Sequence, residues 1–334
     1  MNHDSFVNHE YSREDGKVKI MRRFRVWMLL VLSLALLLPA GCGQTEKTAP
    51  EKLKIGILPV EDIMPSVVAV ENGYFAQENI DVELVRFQSA VEQGNAMQSG
   101  QLDGMITDLV VSTLLKDSGQ DLKVTSITLG STPEEGRFGI VAAPKSVIAT
   151  LEDLKGKEVG ISNNSIIEYV TDGLLEDGGI DPSQVSKVSV PKIPLRLEML
   201  FSNQIDAIAV PDPLLTFAEF KGAKIIAQDT ERNLSQAVVA FNQKTLDEKK
   251  GAVEAFFRAY TKAVDDLNNH PADYKKLMIE NVNIPEPIAE DYQVQHYPKP
   301  QVPTEENVNN ILEWMTKKGL LKTNLNYQDL VEKI

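Results

Sequence analysis

One cysteine in 334 residues excludes an internal disulfide framework and any zinc or iron–sulfur centre built from several thiolates. Histidine is nearly as scarce. Of the four, His3 and His9 stand in an N-terminal leader, which leaves His270 and His296 for imidazole chemistry. Without a second cysteine or a His-x-x-x-His spacing, a nucleophilic triad and a zinc site both lack their raw material, and His or Cys catalysis is excluded. Positive charge is in deficit too. With 34 Lys and Arg against 48 Asp and Glu, the net charge is −14, and such a surface repels a phosphate backbone, so no nucleic-acid partner is expected. No Gly-x-x-x-x-Gly-Lys-Ser/Thr or Gly-x-Gly-x-x-Gly loop follows a first strand, which removes the phosphate cradle of a nucleotide site. No cofactor and no metal are expected. What remains, 43% hydrophobic and 25% charged, is ordinary globular usage for one large or two medium domains.

The single thiol takes its meaning from position. Lys17, Lys19, Arg22, Arg23 and Arg25 precede the apolar stretch Val26 to Leu38, and Pro39-Ala40-Gly41-Cys42 follows. This is the layout of an export signal, and its apolar stretch of 13 residues falls short of the roughly 20 that a membrane-spanning helix needs. Ala40 and Gly41 before Cys42 resemble a bacterial lipobox, although Pro39 stands where that pattern usually has Leu. The resemblance implies a signal peptide at 1–41, a diacylglycerol on Cys42 and attachment to a membrane, whether translation starts at Met1 or at Met21. The exported chain then keeps 28 basic and 44 acidic residues, a net charge of −16. Residues 42–51 are small, polar and aperiodic, and read as a tether reaching about 18 Å.

From Leu53 onward, short β-rich runs alternate with helical patterns. Leu53–Leu58, Asp81–Phe87, Gly104–Thr107 and Lys123–Leu129 read as strands, with helices over Met64–Tyr74, Val91–Ser99 and Leu109–Ser118. Such alternation predicts an α/β fold with parallel sheets. Two pieces of it recur. Lys54-Ile55-Gly56-Ile57 matches Glu158-Val159-Gly160-Ile161, and Ser99-Gly100-Gln101-Leu102-Asp103-Gly104 matches Ser202-Asn203-Gln204-Ile205-Asp206-Ala207, at offsets of 104 and 103. Two matches at nearly one offset predict two similarly built lobes. After Gln236–Phe241, one more strand, the chain is helical, with Val253, Phe256, Phe257, Tyr260, Val264 and Leu267 at helical spacing and Pro-rich breaks at 285–303. A block that cannot form its own sheet should return to the first lobe. The expected division is lobe 1 over 52–141 and 236–334, and lobe 2 over 142–235.

Ligands of open α/β sheets bind beyond the carboxyl ends of the strands, and two facing lobes make a cleft. By this geometry the candidate ligand-binding residues of the first lobe are Glu61, Asp62, Met64, Ser89, Thr107 and Asp108. Those of the second are Asn163, Asn164, Ser165, Ile193, Arg196 and Asp212, with Arg137 near the crossing between lobes. The four carboxylates also suit helix capping or ligand hydrogen bonding, and glycosidase-like use is disfavoured. Free N–H groups at Asn163-Asn164-Ser165 would favour an anion, but Ser165 with Glu168 fits a capping box that satisfies them internally. Carboxylates outnumber Arg137 and Arg196, so an amine-bearing polar ligand is favoured over sulfonate or nitrate. His270 suits a helix C-terminus before Pro271, and His296 a surface segment.

These residues carry a resemblance. Asn72-Gly73-Tyr74-Phe75 before Asn79-Ile80-Asp81-Val82-Glu83-Leu84 resembles a signature of the ABC-importer solute-binding family for nitrate, sulfonate, taurine and thiamine-pyrimidine precursors, the NMT1-like group. Leu151-Glu152-Asp153-Leu154-Lys155-Gly156-Lys157, Glu168-Tyr169-Val170 and Phe256-Phe257-Arg258-Ala259-Tyr260 add to it. The resemblance spans about 53–265 and is silent on substrate, since each motif also has a scaffold reason such as a left-handed helix end at Gly73. It implies a two-lobed type II periplasmic-binding-protein fold with a hinge and an interlobe cleft. It further implies an extracytoplasmic, non-enzymatic monomer that takes a small-molecule solute and hands it to ABC permease and ATPase subunits. Glu61-Asp62 stands where the anion-binding members have a small-residue loop. A pyrimidine-precursor synthase-like enzyme on the same fold, or the sensing subunit of a signalling system, are the alternatives.

Overall fold

Alternating apolar residues make strand β1 (Glu51–Ile57), whose Leu53, Ile55 and Ile57 point into the core. The structure, a computed structural model, describes residues 49–133, 135–230, 232 and 234–334. The expected signal peptide at 1–41, Cys42 and the rest of the expected tether up to residue 48 lie outside the described residues. The tether's expected last residue, Glu51, already belongs to β1 and pairs with Ile80.

Strands β2 (Ile80–Arg86), β3 (Gly104–Asp108) and β4 (Leu122–Leu129) follow, then β5 (Phe138–Ala142), β6 (Glu158–Ile161), β7 (Ser186–Ser189), β8 (Ala207–Pro211), β9 (Lys224–Gln228) and β10 (Ala237–Asn242). They form two five-stranded sheets, in the orders β2-β1-β3-β10-β4 and β7-β6-β8-β5-β9. The orders are one pattern written twice, and the duplicated motifs occupy equivalent places in it. Lys54 N–H donates to Asp103 Oδ2 at 2.8 Å, and Glu158 N–H donates to Asp206 Oδ2 at 3.2 Å.

The sheets are mixed rather than parallel. β1, β2 and β3 run parallel, as do β6, β7 and β8, but β10 is antiparallel to β3 and β4, and β5 to β8 and β9. Each antiparallel strand is the one that arrives from the other sheet, so its direction is set by the crossing and not by a local βαβ unit. β5 joins the second sheet, which puts Phe138–Ala142 with residues that sequence analysis assigned to the other lobe.

The longer helices include α1 (Met64–Glu71), α2 (Ala90–Gln98), α3 (Leu109–Asp117), α4 (Ile166–Asp177), α5 (Ile193–Phe201), α6 (Leu214–Phe220), α7 (Lys250–Asn269) and α8 (Glu305–Lys317). α7 buries Val253, Phe256, Ala259, Tyr260, Val264 and Leu267 along one face, and Phe75 stacks on Phe256 with centroids 5.2 Å apart. The Gly-Tyr-Phe motif is scaffold accordingly: Gly73 adopts φ +68°, and the Tyr74 hydroxyl donates to Asp266 on α7. α7 packs on β1 and β2 of the first sheet. α8, however, buries Val308, Ile311, Trp314 and Met315 in a core shared with α3 and with Tyr169 and Val170 of α4. Among the described residues no helix is long and apolar enough to cross a membrane.

Candidate functional site

The carboxyl ends of strands from both sheets meet around a cleft with about 780 Å³ of empty space, part of it open to solvent. From the first sheet come Leu58, Val60, Glu61 and Asp62 after β1, Thr107 and Asp108 at the end of β3, and Ser235 to Ala237 entering β10. From the second come Ser162, Ser165 and Ile166 after β6, Pro191, Ile193 and Arg196 after β7, Pro211 and Asp212 after β8, and Arg137 and Phe138 entering β5.

Of the residues expected at the site, Glu61, Asp62, Thr107, Asp108, Arg137, Ser165, Ile193, Arg196 and Asp212 line this cleft. Four others do not. Met64 lies two residues beyond Asp62, and its side chain is turned away into the hydrophobic core with Val67 and Val68. Ser89 is the N-cap of α2, where its hydroxyl accepts Glu92 N–H at 3.2 Å. Asn163 and Asn164 border an adjoining groove with α2 and α3, which shares Ser162 and Ser165 with the cleft. There Ser165 Oγ accepts Ile167 N–H at 3.3 Å and Glu168 Oε2 accepts Asn164 N–H at 2.7 Å, so internal capping uses donors that could have served an anion.

Two of the cleft carboxylates carry structural bonds as well. Asp108 caps α3, with Oδ1 2.8 Å from Val111 N. Asp212 Oδ1 accepts from the backbone and hydroxyl of Thr216 at 2.9 and 2.8 Å. Arg137 is also committed: it donates to Thr216 and Gln228, and lies 3.3 Å from Glu219 and 3.8 Å from Asp212. Glu61 is buried, and its Oε1 accepts from the Tyr292 hydroxyl while its carbonyl accepts from Tyr297 at 3.1 Å. Sequence reasoning missed Tyr292, Ser235 and Gln236. Tyr292 reaches Glu61 from the Pro-rich stretch at 285–303, where no local pattern marks it; Gln236 was legible only as the start of a strand.

Burial dominates the ionisation of this group. It pushes Glu61 up to about 8, reinforced by the charge of Asp212 and opposed by the Tyr292 hydrogen bond. It raises Asp108 to about 6 against the N–H groups of Val111, Ile166 and Val110. Asp62 rises well above its usual range, through burial and then Asp108, and Asp212 rises against Thr216 and Arg137. A raised acid binds its proton more tightly folded than unfolded. Stability is therefore full below the ordinary carboxylate value and is lost as pH climbs toward the folded value. The melting temperature of the purified protein is expected to be higher at pH 6 than at pH 8, with Glu61→Gln flattening the difference. Scanning fluorimetry checks this, and a melting temperature that rises from pH 6 to 8 contradicts the burial of Glu61.

Among the described residues no group of three or more His, Cys, Asp or Glu is placed to hold a metal ion. His270 is the exposed C-cap of α7, and exposed His296 lies 3.4 Å from Glu135, outside the cleft.

A family model described as "NMT1/THI5 like" matches residues 60–274. No curated protein matches the chain. Among solved structures, the alkanesulfonate-binding protein SsuA of Xanthomonas axonopodis pv. citri, bound to MOPS, superposes with a TM-score of 0.74 at 17% identity, covering 86% of this chain and 100% of its own. The periplasmic nitrate-binding protein NrtA of Synechocystis PCC 6803 gives 0.63 at 14% identity, with 82% and 83% covered. The desulfurization enzyme DSZB gives 0.62 at 15% identity, with 85% and 96% covered. These likenesses show the two-lobed binding-protein fold that the sequence resemblance implied.

Proposed function

The chain belongs to the NMT1/THI5-like family, and from that premise we propose that it is the extracytoplasmic solute-binding component of an ABC importer. It captures a small polar organic molecule in the cleft and delivers it to permease and ATPase subunits. The observation that carries this reading is the cleft itself: strand ends of two separate sheets converge on it, and polar atoms of Thr107, Arg196 and Gln236 are buried there without partners. The lobes are the two sheets with their helices, joined by the crossings at 130–137 and 229–236, about which they close on solute. Anchoring through a lipid on Cys42, as a monomer, completes the proposal. The carboxylates around the cleft favour an amine-bearing solute over nitrate or a simple sulfonate.

The likeness to a desulfurization enzyme gives catalysis on this fold a specific second reading, in which a buried protonated Glu61 would serve as the acid. The cleft lining contains neither His nor Cys, which disfavours it. A thermal-shift screen of amines, amino acids, pyrimidines, sulfonates and nitrate, with native mass spectrometry of each hit, decides between them. A binding protein is stabilised and releases its solute unchanged, and an amine binds more tightly at pH 8 than at pH 6 because it displaces protons from the raised carboxylates. Chemical conversion of the solute restores the enzyme reading. A nitrate hit without any amine response overturns the electrostatic preference.

A further inference from the structure

Two helix N-termini that belong to different sheets meet on one carboxylate. Asp108 ends β3, is 8% exposed, and takes part in no salt bridge among the described residues. Its Oδ1 accepts Val111 N–H at 2.8 Å and so caps α3, which follows the first sheet's β3. The same carboxylate accepts the N–H of Ile166, the first residue of α4, which follows β6 of the second sheet. Asp108 and Ile166 both line the cleft.

Nothing in α4 itself serves that donor. Ser165 takes the next two N–H groups, Ile167 through its hydroxyl at 3.3 Å and Glu168 through its carbonyl at 3.0 Å. Glu168 Oε2 takes Asn164 N–H at 2.7 Å. Ile166 N–H is left over at the positive end of a helix of 12 residues. An anion suits such a place, and here the protein supplies one. A position at a strand end does not by itself produce the contact. Asp212, the counterpart of Asp108 at an offset of 104, spends its Oδ1 on the backbone and hydroxyl of Thr216 in α6. The packing agrees: Val110 and Val111 of α3 share a core with Ile166, Ile167 and Val170 of α4, so the two helices abut where the carboxylate joins their ends.

We propose that Asp108 is the resident anion of the cleft: held by α3, its carboxylate occupies the N-terminus of α4, where it shuts out oxyanion solutes and clasps the first sheet to the second. For solutes this rests on the cleft being their site. An oxyanion arriving at α4 must displace a side chain tied to α3 or lie against its charge, and either way it loses the helix end as a binding group.

Asp108→Ser separates the clasp from the cap. Ser89, at the same N-cap place of α2, accepts Glu92 N–H at 3.2 Å, so the variant keeps α3 capped while its hydroxyl is too short and uncharged to serve α4. Hydrogen exchange resolved by residue is expected to speed about tenfold at Ile166 and to stay unchanged at Val111. Unchanged exchange at Ile166, or equal acceleration of both, shows Asp108 to be a cap alone and overturns the proposal. Calorimetry with sodium sulfate, at an ionic strength held constant with sodium chloride, reads the exclusion. Asp108→Ser is expected to bind sulfate about tenfold or more tighter than the unmodified protein, and sulfate should slow Ile166 exchange again. Equal sulfate affinity overturns the proposal. Asp108→Gly, which N-caps also tolerate, carries the same expectations should the first variant fail to fold, and an effect confined to one folded variant counts against the assignment. If both variants behave as expected while no compound of the solute screen binds the unmodified protein, the resident anion stands and the solute-binding reading falls. If an amine binds while sulfate affinity is equal throughout, the solute-binding reading stands and the resident anion falls.

Discussion

Gly130→Val is expected to lower the unfolding free energy by about 3–5 kcal/mol, through backbone strain and overpacking together. Gly130 lies where the chain leaves β4 for the second sheet, with φ +82°. A Cβ there would stand 2.3 Å from Ser235 O, 3.1 Å from its carbonyl carbon and 3.3 Å from Gln236 Cα. These atoms are backbone of the segment that returns to β10, so neither neighbour can swing aside. The two crossings between sheets therefore abut at a point where only hydrogen fits. Gly119→Ala separates the two causes. Its φ is +95°, but nothing lies within 4 Å of the added carbon, so a loss of about 1 kcal/mol is expected from conformation alone. Urea denaturation of both variants measures the difference, and equal losses would show that the crossings do not constrain each other.

Much of this architecture was legible because the duplication records contacts as well as elements. Gly56 is glycine because a Cβ would come within 2.7 Å of Leu102 Cδ1, and Gly160 repeats this with Ile205 Cδ1 at 2.9 Å. Gly100 and Asn203, equivalent in the two motifs, both take positive φ, at 73° and 55°, to end a helix before the next strand. Such short-range constraints leave the same residue spacing in each half. Strand direction leaves no such mark. β5 and β10 read locally like any buried strand, yet each runs against its neighbours because the chain reaches it from the other sheet. The site divided in the same way. Residues after strand ends, such as Asp62, Thr107 and Asp212, were expected at the cleft by topology and do line it, since their position follows from the βα rule. That Arg137 is occupied was not legible, because Gln228 and Glu219 lie far from it in sequence. Tyr292, bonded to Glu61 across 231 positions, was invisible for that reason too.

Lys318→Met should cost about 2–4 kcal/mol, by leaving buried carboxylates short of positive charge. α8 ends against α4, where Asp172 and Glu168 are 5% and 8% exposed in their side chains. Asp172 accepts from Trp314 Nε1 at 3.0 Å and pairs with Lys187 at 2.5 Å and Lys318 at 3.2 Å. Glu168 pairs with Lys318 and lies 3.6 Å from Lys187. Two cations balance two anions, and Lys318 also sits 5.1 Å from the Trp314 ring centroid. Removing Lys318 leaves one lysine for both acids. Asp172→Asn in the same chain should recover most of the loss by restoring neutrality, a coupling that a double-mutant cycle in urea reads directly. Because α8 also packs on α3, which follows β3 of the first sheet, this cluster ties the C-terminal helix to the second sheet's α4. Lys318→Met should accordingly raise the hydrogen-exchange rate of α4 amides and leave those of α7 unchanged. Full stability in the single variant would mean that Lys187 alone suffices, and the balance of charge would then not be what holds α8 against α4.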